Sequence, residues 1–508
     1  MNGRALAGPT IGGLTLRLLA RHPHRVAFVD ETGRQTSYSA AADIIGRYQH
    51  VMADQGLRRG ATIALLSSNR MEAWCAGIAA QCLGMRVTWL HPLGSVADQR
   101  RQLELCEVDA LIVDEANHAT RGGELGATFT LGAADYAIDL AGAAERVGAT
   151  APWDDADVDD VALINFTGGT TGAPKGVQRR HPQLVAMSHA ILSDFELPLS
   201  PRYLAVAPNS HVGGSILTPV LARGGTIHLQ TRFDPGSVLH AIEHERVNMS
   251  LLVPTMIYTL LDHEAMDCVD TGALELLLYG AAPIASQRLS EGLERLGPVF
   301  AQLYGQTECY PISHLNRTDH RDESLRGSCG IPTTATDVRL LDEHGAEVAM
   351  GEPGEITVRS PAAMDSFLAE PDPREDGWLR TGDIARRDDR GFLYIADRKK
   401  DMIITGGFNV YPREVEDALS EHPGVALAAV VGIPEPRWGE AVSAAVVLRP
   451  GCHVDPASLI AHVRSRKGAV QAPKLLIIVD ELPRTALGKI DKKVLRERIQ
   501  ARESSSRQ

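Results

Sequence analysis

Between residues 60 and 310, short apolar runs alternate with amphipathic stretches. TIALLS (62–67), ALIVDE (110–115), VALINFT (161–167), YLAVAP (203–208), TIHLQ (226–230), MSLLVP (249–254), LELLLYG (274–280) and VFAQLYG (299–305) read as buried strands. Stretches between them, such as SQRLSEGLERLG (286–297), read as helices. This alternation predicts a mainly parallel sheet flanked by helices. Ligands of such sheets bind at the carboxyl ends of strands, where loops enter helices. Two motifs fall at such ends: FTGGTTGAPKGV (166–177) at the end of VALINFT, and YGQTE (304–308) after VFAQL.

The texture changes after residue 325. DVRLLDEHGAEV (337–348), GEITVRS (354–360) and GFLYIADR (391–398) are brief and β-like, so a small antiparallel, barrel-like region is expected. Beyond RKKD (398–401) lies a block of about a hundred residues with three apolar strands and two helices, EVEDALSEH and DPASLIAHVRSR. It reads as a compact α+β domain. A chain of 508 residues is too long for one core, so at least two domains are expected.

A net charge of −13 argues against a nucleic-acid surface. The cysteines (Cys75, Cys82, Cys106, Cys268, Cys309, Cys329, Cys452) are odd in number and contain no C-x-x-C pair. A zinc site or disulfide framework is therefore not expected, and a reducing cytoplasm fits. No signal peptide and no membrane span are read. The tail ARESSSRQ reads as frayed.

The loop at 166–177 is not a Walker A motif, because Lys175 lies between Pro174 and Gly176. Its composition still suits an anion. Gly168, Gly169 and Gly172 let backbone N–H groups turn inward. Thr167, Thr170 and Thr171 add hydroxyl donors, and Lys175 adds a positive charge. By itself the loop is equally a plain Gly/Thr turn.

With its companions it is more specific. FTGGTTGAPKG, GAAP (280–283), YGQTE (304–308), TGD (381–383), DRKKDMIITGGFNVYPREVE (397–416) and PRTALGKID (483–491) occur in this order. Together they resemble the motifs of the adenylate-forming superfamily, in its acyl- and aryl-CoA synthetase branch. The resemblance covers nearly the whole chain. It implies a body (1–399) that binds ATP and acid, and a small mobile domain (400–508) hinged at Lys400.

The resemblance assigns roles residue by residue. Nucleotide binding falls to Thr167–Gly172, Lys175, Gly280, Ala281, Ala282, Tyr304, Thr307, Asp383, Arg398 and Lys489. Tyr304 offers a face for adenine, Thr307 a donor to the α-phosphate, and Asp383 an acceptor for ribose hydroxyls. Arg398 suits the ribose or phosphate end. Glu308 is a hard oxygen ligand suited to Mg²⁺. Lys489 would bridge the carboxylate and the α-phosphate, favouring the charge that develops there. His211 would gate the acid pocket, with Val212, Gly213, Gly214, Tyr279, Gly280, Leu303 and Gly305 beside it. Gly406, Gly407 and Phe408 would line a pantetheine tunnel. The pocket offers no group for an amino acid's ammonium and no second cation, which points to an aryl or aliphatic monocarboxylic acid.

The expected chemistry consumes ATP, with Mg²⁺, to make an acyl-adenylate, then transfers the acyl group to CoA. Gly168 stands where the family has Ser, and Val470-Gln471-Ala472-Pro473 stands where it reads Tyr-Lys-x-Pro. The second departure leaves a carrier-protein thiol open as the acceptor. Another nucleophile or acid, as in an aryl-amine diazotase, and a non-catalytic ATP or acyl binder also remain open. Monomer and homodimer are both compatible.

Overall fold

The computed structural model describes residues 9–167, 175–398, 401–405, 408–435, 439–485 and 489–506, with backbone alone at Arg398 and at 503–506. All eight apolar runs form strands. They divide between two sheets rather than sharing one.

The first sheet has eight strands: Ser366–Phe367, Lys175–Arg180, Val161–Thr167, Arg86–Trp89, Thr62–Leu66, Ala110–Val113, Phe129–Thr130 and Ile138–Asp139, in spatial order. It is parallel from Val161–Thr167 to the Ile138–Asp139 edge, and antiparallel on the Lys175 side. The second has nine strands, with a parallel centre of Phe300–Gln306, Leu276–Gly280, Met249–Leu252, Arg202–Ala205, Thr226–Leu229 and Val26–Val29. Cys309–Leu315 and Ile331–Pro332 close one edge antiparallel, and Gln35–Ser37 closes the other.

One apolar core joins both sheets through the helices Tyr38–Asp54 and Met71–Cys82. The second helix, MEAWCAGIAAQC, is buried at every residue except Glu72. A helix apolar on all sides belongs inside, and its Ala and Gly positions let neighbours approach.

A third, antiparallel sheet follows: Asp337–Leu341, Gly354–Arg359, Leu379–Arg387 and Leu393–Arg398. Its core includes Tyr304, Cys309 and Ile312 of the second sheet and Val177 of the first. The small β region is thus packed onto both larger sheets where the motifs emerge.

Sheet membership changes again between Leu393–Arg398 and Ile403–Thr405, which belongs to a C-terminal five-stranded sheet. Lys400 lies outside the described residues. The long strand Val425–Glu435 is apolar on both faces because both are covered. Val430 packs with the helices Pro412–Ser420 and Pro456–Gln471, whereas Ala429, Val431 and Ile433 pack with Leu495 and Ile499 of Lys492–Ser506. That third helix was not anticipated, and its backbone runs on to Ser506 through much of the tail read as frayed.

A buried asparagine fastens the two large sheets at their carboxyl ends. Asn69, after the strand Thr62–Leu66, donates from Nδ2 to the carbonyls of Ala205, Ala207 and Gln230. Its Oδ1 accepts from the Asn209 N–H at 2.9 Å. Asn69→Ala would strand these buried groups. At about 1–3 kcal/mol per unsatisfied group, partly relieved by water, a loss of roughly 2–4 kcal/mol is expected. Urea unfolding of the purified variant should show the lower midpoint.

Candidate active site

The strand Phe300–Gln306 ends in Thr307 and Glu308, and three parts of the body converge there. Tyr304 donates from its hydroxyl to Asp383 Oδ2 at 2.7 Å, joining YGQTE to TGD across the second and third sheets. TGD lies inside the strand Leu379–Arg387, where Gly382 takes φ +73°. That left-handed conformation suits glycine. The Asp383 N–H donates to Thr381 Oγ1 at 3.1 Å, and the Gly382 N–H donates to Glu355 Oε1 at 3.2 Å. Asp383 is therefore held by its own strand and by Tyr304.

GAAP begins at the last residue of Leu276–Gly280. A Cβ on Gly280 would lie 2.4 Å from the Leu303 carbonyl oxygen, so only glycine fits between these strands. Ala281 follows at φ +65°, a strained conformation for a residue with a side chain. The two strands bring GAAP beside YGQTE.

Glu308 is half-buried, and its carbonyl accepts from the Met364 N–H at 2.7 Å. The Thr307 carbonyl accepts from Arg179 Nη2. Among the described residues no three His, Cys, Asp or Glu side chains group to hold a metal. A single carboxylate ligand suits Mg²⁺, which keeps waters and takes further oxygens from substrate phosphates.

Of the phosphate loop, Thr167 and Lys175 are described and face each other across the antiparallel pair. Gly168, Gly169, Thr170, Thr171 and Gly172 lie outside the described residues. Lys175 Nζ is 2.8 Å from Glu370 Oε2 and lies over the Phe367 ring. It must exchange that exposed carboxylate for a phosphate to serve as read.

His211 lies at the start of the short helix Val212–Ser215. Cβ atoms on Gly213 and Gly214 would lie 2.7 Å and 2.1 Å from the Ala207 and Asn209 carbonyl oxygens, so the turn needs both glycines. The Ser210 hydroxyl is 2.9 Å from His211 Nδ1. The His91 ring packs edge-on against His211, centroids 5.0 Å apart, and the Leu93 N–H donates to His91 Nδ1. Burial depresses His211 to about 4, and the charges of His91 and Lys489 push it the same way. His91 is also depressed by burial. Both imidazoles are neutral at pH 7.

Lys489 thus belongs to this neighbourhood although it comes from the C-terminal domain. Its loop is pinned at the base: the Thr485 N–H donates to the Lys489 carbonyl at 2.8 Å, and Arg484 bridges Ile490. The Lys489 side chain is exposed.

The pocket residues do not all share one face. Leu303 and Val212 pack with the core between the large sheets, whereas Tyr279 packs on the opposite face. There the Tyr279 hydroxyl pairs with His320 Nε2 at 3.0 Å and donates to Gln302 Oε1 at 3.2 Å. Gly305 abuts Tyr310, which leaves no room for a side chain. Phe408 is 60% exposed and Ile404, one strand away, 52%. Gly406 and Gly407 lie outside the described residues, as does the Arg398 side chain; the Arg398 backbone pairs with Asp383. Gln471 donates to Glu414 Oε2 at 2.8 Å. Asn69, His91 and Arg179 were missed in the sequence.

A family model described as AMP-binding enzyme matches residues 17–368, and one described as AMP-binding enzyme C-terminal domain matches 414–489. The chain is 42% identical to the medium/long-chain-fatty-acid–CoA ligase FadD8 of Mycobacterium tuberculosis, over 98% of this chain and 92% of that one. It is 35% identical to a feruloyl-CoA synthase of Amycolatopsis, over 96% and 99%. Among solved structures, the amide bond synthetase McbA of Marinactinospora thermotolerans superimposes with a TM-score of 0.88 at 32% identity, covering 96% of this chain and 99% of that one.

The depressed histidines give a pH prediction. His181, His211 and His320 each lie at about 4 in the fold, against 6.5 when free. The unfolded chain therefore binds more protons between these values. Stability is full above pH 6.5 and falls as pH drops toward 4. Thermal unfolding across this range should show that loss, and His211→Asn should flatten part of it.

Proposed function

This chain belongs to the AMP-binding enzyme family, and on that premise we propose that it works as an ATP-dependent carboxylic acid–CoA ligase on a monocarboxylic aryl or fatty acid. The acid's carboxylate attacks the α-phosphorus of ATP, an acyl-adenylate forms and pyrophosphate leaves. The thiol of CoA then attacks the acyl carbon and AMP departs. The observation that carries this reading is the Tyr304–Asp383 hydrogen bond, which joins two of the nucleotide motifs across two sheets, and Lys489 of the C-terminal domain is near enough for its charge to act on His211.

Each described residue has a part in the first step. Tyr304 and Asp383 hold adenosine, the tyrosine by its face and the aspartate by accepting from ribose hydroxyls. Thr307 donates to the α-phosphate. Lys489 offsets the negative charge shared by the attacking carboxylate and the phosphate. Glu308 would hold Mg²⁺, which neutralises phosphate charge when bound. Neutral His211 lies where acid and, later, thiol must pass. Val212 and Leu303 beside it are apolar, which favours an acid without a second charge.

The second step supports a division at residues 399/400 with its hinge at Lys400. Ile404 and Phe408 are large apolar side chains left in water, flanking Gly406 and Gly407. Turning the C-terminal domain would cover them and bring the two glycines to the adenylate as a lining for the pantetheine arm. Free CoA is the acceptor proposed, and a carrier-protein thiol is the competing one, since Gln471 is spent on Glu414 rather than offering a cation. Seven free cysteines, five of them buried, suit a reducing cytoplasm, and no described helix is long and apolar enough to cross a membrane.

An acid panel tests the substrate class. Aryl and medium- to long-chain acids are offered with ATP, Mg²⁺ and CoA, and products are identified by mass. Acyl-CoA masses are expected; accumulation of acyl-AMP alone would move the acceptor to a carrier protein. Lys489→Ala tests the mechanism. Adenylation should fall on the order of 10²–10³-fold, the scale of one preorganised charge-stabilising group. Thiolation of supplied acyl-AMP should stay close to normal. Equal loss of both half-reactions would contradict the two-orientation mechanism.

A further inference from the structure

Arg179 is a cation in an apolar interior. It lies on Lys175–Arg180, the strand that leaves the phosphate loop, and shares a face with Val177, two residues before it. Val177 packs with Tyr304, Cys309 and Met364 in the core of the third sheet. Arg179 is only 3% exposed in the same region. Among the described residues, no carboxylate oxygen forms an ion pair with it, and its Nε has no hydrogen-bond partner. Burying a guanidinium so poorly compensated is costly, and burial outweighs the favourable charge of nearby Glu308. A position of this kind is filled more stably by an aliphatic side chain, unless the charge serves the site.

Its hydrogen bond to a neighbouring carbonyl is informative. Arg179 Nη2 donates to the carbonyl of Thr307, the peptide between the residue assigned to the α-phosphate and the carboxylate assigned to Mg²⁺. The same peptide's other flank is fixed where the Glu308 carbonyl accepts from Met364. Thr307 and Glu308 are therefore held from both sides, once by a backbone N–H and once by a buried charge.

We infer that Arg179 is a positioning residue for adenylation: through the Thr307 carbonyl it sets the orientation of the Thr307 hydroxyl and the Glu308 carboxylate toward magnesium-bound triphosphate. The inference rests on the ligase reading above. It has a directional consequence. Mg²⁺ and triphosphate are present only in the first half-reaction, so Arg179 matters there and not for thiolation. Groups that orient metal ligands typically change metal affinity by roughly 10- to 100-fold when removed.

The test uses the full chain and two substitutions, Arg179→Met and Arg179→Lys. Binding of Mg·ATP and of AMP is measured by calorimetry. Adenylation is followed by pyrophosphate release, and thiolation with supplied acyl-AMP and CoA. Arg179→Met should weaken Mg·ATP by about tenfold or more, raise the Mg²⁺ needed for half-maximal adenylation, and leave AMP affinity and thiolation within about twofold of wild type. Arg179→Lys, which keeps the charge but not the fork, should fall between. Unchanged Mg·ATP affinity, or parallel loss of AMP binding and both half-reactions, would overturn the inference and leave Arg179 a structural residue. If Arg179→Met does not fold, Arg179→Lys is judged by the same comparison. The wild-type enzyme is run alongside: if it releases no pyrophosphate with any acid, the ligase reading fails, whereas failure confined to the variants bears on Arg179 alone.

Discussion

Three sheets are tied to one short segment, residues 304–308, and the remaining site geometry follows from that tie. Tyr304 reaches the third sheet at Asp383, Arg179 of the first sheet holds Thr307, and Met364 holds Glu308. None of these bonds is long-lived energy in isolation, since a typical internal hydrogen bond contributes about 1 kcal/mol net. Their value is positional. They fix an aromatic face, a hydroxyl and a carboxylate relative to one another on a strand end, which is rigid in a way that a free loop is not. Parallel sheets supply such strand ends repeatedly, and here two of them share one core.

The C-terminal domain obeys a different constraint. Its central strand Val425–Glu435 is covered on both faces, so it carries its own two-sided core. A unit with its own core can turn as a body without losing its fold. Lys489 is offered on a hairpin-like loop at one end, and Phe408 and Ile404 are exposed at another. The proposed alternation of half-reactions asks for two distinct working faces on one small domain.

Much of this was legible in the sequence because buried strands announce themselves by continuous apolar runs and the motifs sit at their ends. The eight runs between 62 and 305 needed no more than that pattern, whereas the strand Leu379–Arg387 that carries Asp383 was not read, because its Thr-Gly-Asp has the composition of a turn. What escaped shares a physical cause. Asn69 lies in SSNR, which has the composition of any polar turn, and only the fold shows three carbonyls and one N–H converging on it. Arg179 sits in QRRH, where charge suggests solvent, yet strand alternation turns it inward while Arg180 is only half-buried. His91 meets His211 across 120 residues, and no local signal encodes such a pairing. The helix Lys492–Ser506 has a weak apolar stripe carried by Leu495 and Ile499, easily lost among its charges. Tyr279 reads as a pocket residue beside Gly280, but period-two alternation sends it to the opposite face.

The central claim is that a carboxylate oxygen attacks the α-phosphorus of ATP. Any acid that the enzyme accepts, labelled with ¹⁸O in its carboxylate, tests this directly. One labelled oxygen should appear in AMP and none in pyrophosphate, because the thiol breaks the acyl C–O bond and the O–P bond stays with AMP. Unlabelled AMP, with thioester still formed, would contradict an acyl-adenylate path through this site.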